Sequence, residues 1–244
     1  MKGQTDALSR YFRDTHTLLY SYLIALPLLL LYEILIVISQ PNAAGAVRIS
    51  VDVWIRTLFT WLGTGVLSIT LILAALAGIV IVWRERDKLS TLRGGYFAGM
   101  LLESTVYALA LAMLISSLVG GVVQLLQDTA GVEALTTLQQ VALSLGAGLY
   151  EELFFRVVLV GGLYFVARRL LDKRWLAFAL SVVTAALIFS GVHYVGALGD
   201  TFTLGSFLFR FLFGLALNAI YLWRGFGVAA WTHAIYDIMV VAFL

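Results

Sequence analysis

Glu151-Glu152-Leu153-Phe154-Phe155-Arg156 sets two adjacent carboxylates and a guanidinium inside an apolar run from Thr136 to Ala167. A run of that length reads as a membrane-spanning helix, since about 20 apolar residues at about 1.5 Å each cross a hydrocarbon core of about 30 Å. Charge at that depth costs at least about 2.5 to 3.5 kcal/mol per group on insertion scales, so it marks a pathway, a switch or a reactive site. These six residues therefore predict a helix in lipid and require a reason for burying acid in it.

The rest of the chain agrees with the bilayer. Of 244 residues, 61% are hydrophobic and 12% charged, and the mean hydropathy is +0.97, where a soluble domain is roughly 45 to 50% apolar. Seven apolar segments follow: Thr17 to Ser39, Thr57 to Trp83, Gly94 to Leu126, Thr136 to Ala167, Trp175 to Val195, Leu204 to Trp223 and Phe226 to Leu244. The fold expected is an all-α polytopic membrane bundle of about seven transmembrane helices, a single integral membrane domain over residues 1–244. The overlong third and fourth segments imply tilt or projection beyond the bilayer. Val47 to Thr57, carrying Arg48, Asp52, Trp54 and Arg56, reads as a short interfacial helix.

Composition also excludes. A net charge of +2 with dispersed basic residues gives no electrostatic footprint for nucleic acid. With no cysteine, there is no disulfide framework, thiolate nucleophile or Cys-based metal site. Ala44-Gly45-Ala46 imitates a signal-peptide cleavage site, but the run before it is longer than the roughly 7 to 15 residue core of such peptides. Lys and Arg fall before the first span, between spans two and three, between four and five, and after six; the stretches Gln127 to Leu135 and Gly196 to Thr203 contain neither. Only Arg48 and Arg56 dissent. The pattern predicts a cytoplasmic N-terminal segment (residues 1–16), an extracytoplasmic C-terminus and the bacterial cytoplasmic membrane as location.

Three polar groupings stand out within the spans. Glu152 and Arg156 are four apart with the acid first, the favourable order for a helical ion pair, which leaves Glu151, about 100° round the helix, free for other work. Phe189 and His193 share a face of the fifth span, so the ring can wall the imidazole. His233 and Asp237 are again four apart, which lets the carboxylate fix the imidazole's tautomer and direction. Only three histidines occur in the chain, and two are these. The remaining intramembrane polar residues, Glu33, Glu103, Arg210 and Asn218, read as bundle fasteners, with Arg210 expected to pair with Glu33 or Glu103.

Taken in order, Glu151-Glu152-x-x-x-Arg156, Phe189-x-x-x-His193 and His233-x-x-x-Asp237 resemble the motif set of the CPBP family. That family unites type II CAAX prenyl endopeptidases with bacteriocin-processing and self-immunity membrane proteins (the ABI family). Phe213-Gly214 to Trp223, then Gly225-Phe226-Gly227-Val228, is similar to the glycine-punctuated lead into its last motif. The resemblance covers about Leu145 to Leu244, within a motif-bearing core at 136–244. It implies an intramembrane endopeptidase acting on a membrane-anchored or membrane-proximal peptide, with Glu151 activating water, His193 helping to hold it, Glu152 and Arg156 in support, and His233 and Asp237 at the oxyanion positions. Asp237 departs from the family's usual Asn: an amide donates a hydrogen bond where an ionised carboxylate only accepts.

No cofactor is expected. Zinc on Glu151, His193 and His233 is the mechanistic rival, since two His and a Glu suffice for a catalytic site, although no His-Glu-x-x-His helix is present. Two rival functions use the same charges: a proton- or ion-coupled transporter, and a scaffold or immunity protein without catalysis. Counting at about 1.5 Å per residue from the basic clusters puts Glu151, His193 and His233 at about 24, 28 and 13 Å, so the endopeptidase reading requires these depths to be reconciled.

Overall fold

The computed structural model describes residues 2–40, 47–61, 69–119, 135–196 and 199–243, and every regular element among them is helical. In chain order they are α1 (Lys2–Thr15), α2 (Leu18–Ser39), α3 (Ser50–Trp61), α4 (Ile69–Arg84), a 3-10 turn at Arg86–Thr91, α5 (Gly94–Val119), α6 (Thr137–Gly146), α7 (Gly161–Leu170), α8 (Arg174–Val192), α9 (Leu204–Arg224) and α10 (Phe226–Phe243). Between α6 and α7 run two π-helical stretches, Ala147–Glu151 and Leu153–Val160. The residues at their junctions keep right-handed helical dihedrals, so 137–170 is one helix with a widened middle.

Helix starts follow local chemistry. Thr17 and Thr203 cap α2 and α9 by accepting backbone N–H bonds from Tyr20 and Ser206, and Thr136 with Gln139 forms a reciprocal capping box at α6.

α2, α5, α8, α9 and α10 are long and apolar enough to cross a membrane, and α4 is a shorter apolar helix. The second expected span is redrawn, because Thr57 to Trp61 belong to α3, which begins at Ser50. Residues 62–68, the expected end of the third span at Leu126, most of the stretch Gln127 to Leu135, part of Gly196 to Thr203, and Ala44 to Ala46 lie outside the described residues.

The last helix in sequence is the central one in space. α10 packs against α2, α5, α6, α9 and both π stretches, and its Ala229, Ala230 and Ala234 are fully buried. Small side chains let backbones approach where lipid supplies no hydrophobic drive between helices. Gly225 alone joins α9 to α10. Its φ of 86° lies in the left-handed region that a side chain disfavours, and its N–H closes α9 on the Tyr221 carbonyl at 2.8 Å.

Two buried charge clusters fasten the first half of the chain to this frame, and both correct the expected partners. Arg224, 1% exposed, pairs with Glu103 of α5 at 2.5 and 2.9 Å and donates to Thr15 Oγ1 at 2.8 Å. Tyr11 and Tyr107 donate to the same carboxylate at 2.8 and 2.7 Å, so α1 is pinned over the α9–α10 joint. Glu33 takes Arg56 at 2.6 Å and Arg48 at 3.3 Å, while Asp52 takes the same two at 2.6 and 2.9 Å. The two dissenting arginines are thus internal counter-ions, and α3 is docked on α2 by ion pairs around the fully buried Asp52.

Arg210 pairs with neither Glu33 nor Glu103, because both are already neutralised. It binds Asp200, Tyr194 and Ser206 at the loop after α8. Asn218 donates to the Val182 carbonyl at 3.0 Å and so ties α9 to α8.

Removing one member of a buried ion pair strands the other, which costs about 3 to 5 kcal/mol. Arg224→Ala is expected to lower the thermal midpoint of the detergent-solubilised protein by a loss in that range. Glu103→Gln, which keeps one of the two oxygens that accept from Tyr11 and Tyr107, is expected to lose less, and paired unfolding curves would show the order.

Candidate active site

The site is assembled from the widened helix, the end of α8 and the middle of α10. Gly148 brings the first and last of these together: a Cβ there would lie 2.4 Å from the Ala230 carbonyl oxygen and 2.7 Å from the Ala234 Cβ. Only the absence of a side chain allows this approach. It puts Glu152, one turn on, against His233.

Glu152 is fully buried, and its two oxygens face different basic side chains. Oε1 accepts from His233 Nδ1 at 2.7 Å, and Oε2 lies 2.9 Å from Arg156 Nε. The arginine contact is an ion pair rather than an aligned hydrogen bond, for neither Oε2 nor any guanidinium nitrogen meets hydrogen-bond geometry among the described residues. Arg156 is also held from one side by the face of Phe189, 4.7 Å from its Cζ to the ring centroid, an attraction that gains from desolvation.

Phe189 is where the motifs meet. Its ring is edge-on to His193 at 5.0 Å, to Phe155 at 5.1 Å and to His233 at 6.2 Å. Phe213 closes on His233 from α9 at 5.2 Å. The imidazole of His233 therefore sits between two aromatic edges and two carboxylates, since its Nε2 faces Asp237 Oδ2 at 3.4 Å. A carboxylate only accepts, so the hydrogen on Nδ1 belongs to the Glu152 contact. The Asp237 contact is longer than the roughly 2.7 to 3.2 Å of a good N–H···O bond, which leaves the Nε2 edge the less committed one.

His193 is fixed in the complementary sense. Its Nδ1 is 2.7 Å from the Phe189 carbonyl oxygen; a carbonyl cannot donate, so Nδ1 carries the hydrogen and a neutral ring presents Nε2 as a lone pair. His193 caps the C-terminus of α8, and its own carbonyl accepts from Asp200 N–H at 2.9 Å. Asp200 is in turn held by Arg210.

Glu151 differs from its neighbour. It is half-buried and belongs to the π stretch, where the i to i+5 pattern widens the turn. It lies within electrostatic reach of His233 and Asp237 as well as of Glu152 and Arg156. His193 lies within reach of His233, Arg156 and Arg210. Arg224, from which the depth of His233 is counted in sequence, is buried beneath α1 and is no surface marker.

Among the described residues, no three His, Asp or Glu side chains are arranged to hold a metal ion. The reason is visible in His233, whose ring nitrogens both face carboxylates.

Three contributors were not singled out from sequence as parts of the site: Gly148, Phe213 in its role against His233, and the second bond of Glu152. The first was a glycine in an apolar run, and the others depend on which helices are neighbours. Gly148→Ala is expected to push the π stretch off α10 and destabilise the protein by about 1 to 3 kcal/mol, the usual range for overpacking. Thermal unfolding checks this, and a midpoint unchanged from wild type would contradict the tight approach.

Residues 132–239 match the family model described as Type II CAAX prenyl endopeptidase Rce1-like. No curated protein and no solved structure matches the chain. The matched stretch contains Glu151, Glu152, Arg156, His193, His233 and Asp237, so the similarity falls on the same residues as the motif resemblance.

Proposed function

We propose that the protein is an intramembrane endopeptidase in which Glu151 activates water to hydrolyse a peptide bond of a membrane-anchored or membrane-proximal substrate. The observation that carries this reading is the unequal treatment of two adjacent carboxylates. Glu152 is spent on His233 and Arg156, whereas Glu151 is half-buried beside the same histidine.

In the proposed reaction a water lies between the Glu151 carboxylate and the His193 Nε2 lone pair. Glu151 takes one proton as the water oxygen bonds to the scissile carbonyl carbon. The carbonyl oxygen becomes an oxyanion and accepts from Nε2–H of His233, which, with its Nδ1–H already given to Glu152, acts in the imidazolium form and is held in place before charge develops. Glu151 then returns the proton to the leaving nitrogen as the C–N bond breaks. Asp237 acts by orienting His233 from the side opposite Glu152, a role that an acceptor can fill where oxyanion donation requires a donor.

The reaction is read as metal-independent, because His233, one of the three residues that would ligate zinc, has both ring nitrogens against carboxylates. The similarity of residues 132–239 to an endopeptidase family model favours this reading over a transporter or a scaffold that would use the same charges. The topology proposed with this reading keeps the N-terminus cytoplasmic and the C-terminus extracytoplasmic, on the distribution of Lys and Arg.

Two measurements test the reading on a quenched fluorogenic peptide ending in a prenylated CAAX box, with its unprenylated counterpart alongside. Glu151→Gln is expected to lower kcat by at least about a hundredfold, the lower end of general-base contributions, without loss of thermal stability. Retention of activity within tenfold of wild type would remove Glu151 as the base. Treatment with 1,10-phenanthroline is expected to leave the rate unchanged, and inhibition reversed by added zinc would replace this mechanism with the metal one.

A further inference from the structure

Tyr150 precedes Glu151 in the π stretch and is almost fully buried. Its ring stands edge-on to Tyr32 of α2 at 5.3 Å, and its hydroxyl donates to Glu33 Oε1 at 3.3 Å. Glu33 is no free acceptor. It belongs to the cluster in which Arg48 and Arg56 bridge Glu33 to Asp52, and Tyr32 donates to Asp52 at 2.8 Å. On the next turn, Phe154 meets Trp54 of α3 at 5.7 Å. The widened helix is therefore gripped on two sides, by α10 at Gly148 and by α2 and α3 at Tyr150 and Phe154.

A π turn is locally less favourable than an α turn and persists where tertiary contacts impose it. Its rotation about its own axis decides whether Glu151 faces His233. Contact at Gly148 alone sets how close the helix comes; a second contact is needed to set how it is turned. Tyr150 is one residue from the carboxylate and is attached to a net-neutral, buried lattice of two acids and two guanidiniums, a rigid anchor.

We propose that Tyr150, anchored by Glu33 and the Arg48, Asp52 and Arg56 lattice of α3, is a positioning residue that turns Glu151 toward His233. The inference rests on the role given to Glu151 above. It assigns work in the site to α2 and α3, which lie outside the stretch matched by the family model.

Tyr150→Phe removes one hydroxyl and leaves the ring and the ion pairs in place. Tyr107→Phe is the matched control, for it removes a shorter hydroxyl–carboxylate bond, that to Glu103, from the separate Arg224 cluster. Because a hydrogen bond contributes roughly 0.5 to 1.5 kcal/mol net, Tyr150→Phe is expected to lower kcat on the prenylated peptide about threefold to tenfold with KM within about twofold. Tyr107→Phe is expected to keep kcat within about twofold even though it lowers the thermal midpoint as much or more. Equal kcat for the two variants, or an unchanged kcat in Tyr150→Phe, would overturn the proposal.

Amide hydrogen exchange over 147–151 supplies a second readout that needs no turnover. It should speed at least about threefold in Tyr150→Phe and not in Tyr107→Phe, and equal exchange in both variants overturns the positioning role. A wild-type protein that cleaves neither peptide would count against the endopeptidase reading alone, and the exchange comparison would still decide this inference.

Discussion

Glu152 is the point on which the bundle turns. A carboxylate with no exposure must be neutralised inside the fold, and it meets Arg156 of its own helix and His233 of α10. The arginine is supplied by sequence spacing and the histidine by tertiary structure, so the charge is satisfied only when the two helices are in register. Gly148 permits the distance. A slip of α10 along the widened helix would separate carboxylate from imidazole and leave both buried without each other.

The same rule operates twice more and explains the rest of the architecture. Glu103 with Arg224 fastens α1, α5 and the α9–α10 joint; Glu33 and Asp52 with Arg48 and Arg56 fasten α2 and α3. Lipid gives helices little reason to associate beyond close packing, so buried charge supplies specificity rather than large net stability. Replacement of such pairs by apolar residues is often neutral, whereas halving one is costly. Each cluster therefore acts as a register mark that tolerates one neighbour and no other.

Much of this was legible in the sequence and some was not, for identifiable reasons. The helical membrane fold followed from hydropathy, and the pairs that depend on spacing within one helix, Glu152 with Arg156 and His233 with Asp237, could be read directly. Partners between helices could not. Arg210 was assigned to Glu33 or Glu103 on charge alone, yet both acids are taken by arginines nearer in the fold, and Arg210 serves Asp200. Arg224 looks like a surface charge in sequence and is covered by α1, so a depth counted from it has no exposed starting point. The π stretches left no mark at all, since they arise from contacts on both sides of the helix and not from composition.

The widened helix also explains how two neighbouring glutamates come to differ. On a regular helix Glu151 and Glu152 would point about 100° apart and both would depend on whichever surface the helix presented. Here Gly148 and the buried Tyr150 hold the turn before them, so Glu152 is driven into the His233 and Arg156 contacts while Glu151 stays half-buried at the edge of the same group. In the proposed mechanism the committed carboxylate keeps the imidazole in place while the uncommitted one takes and returns a proton. The π stretch produces that division, and it does so with two residues of the same chemistry.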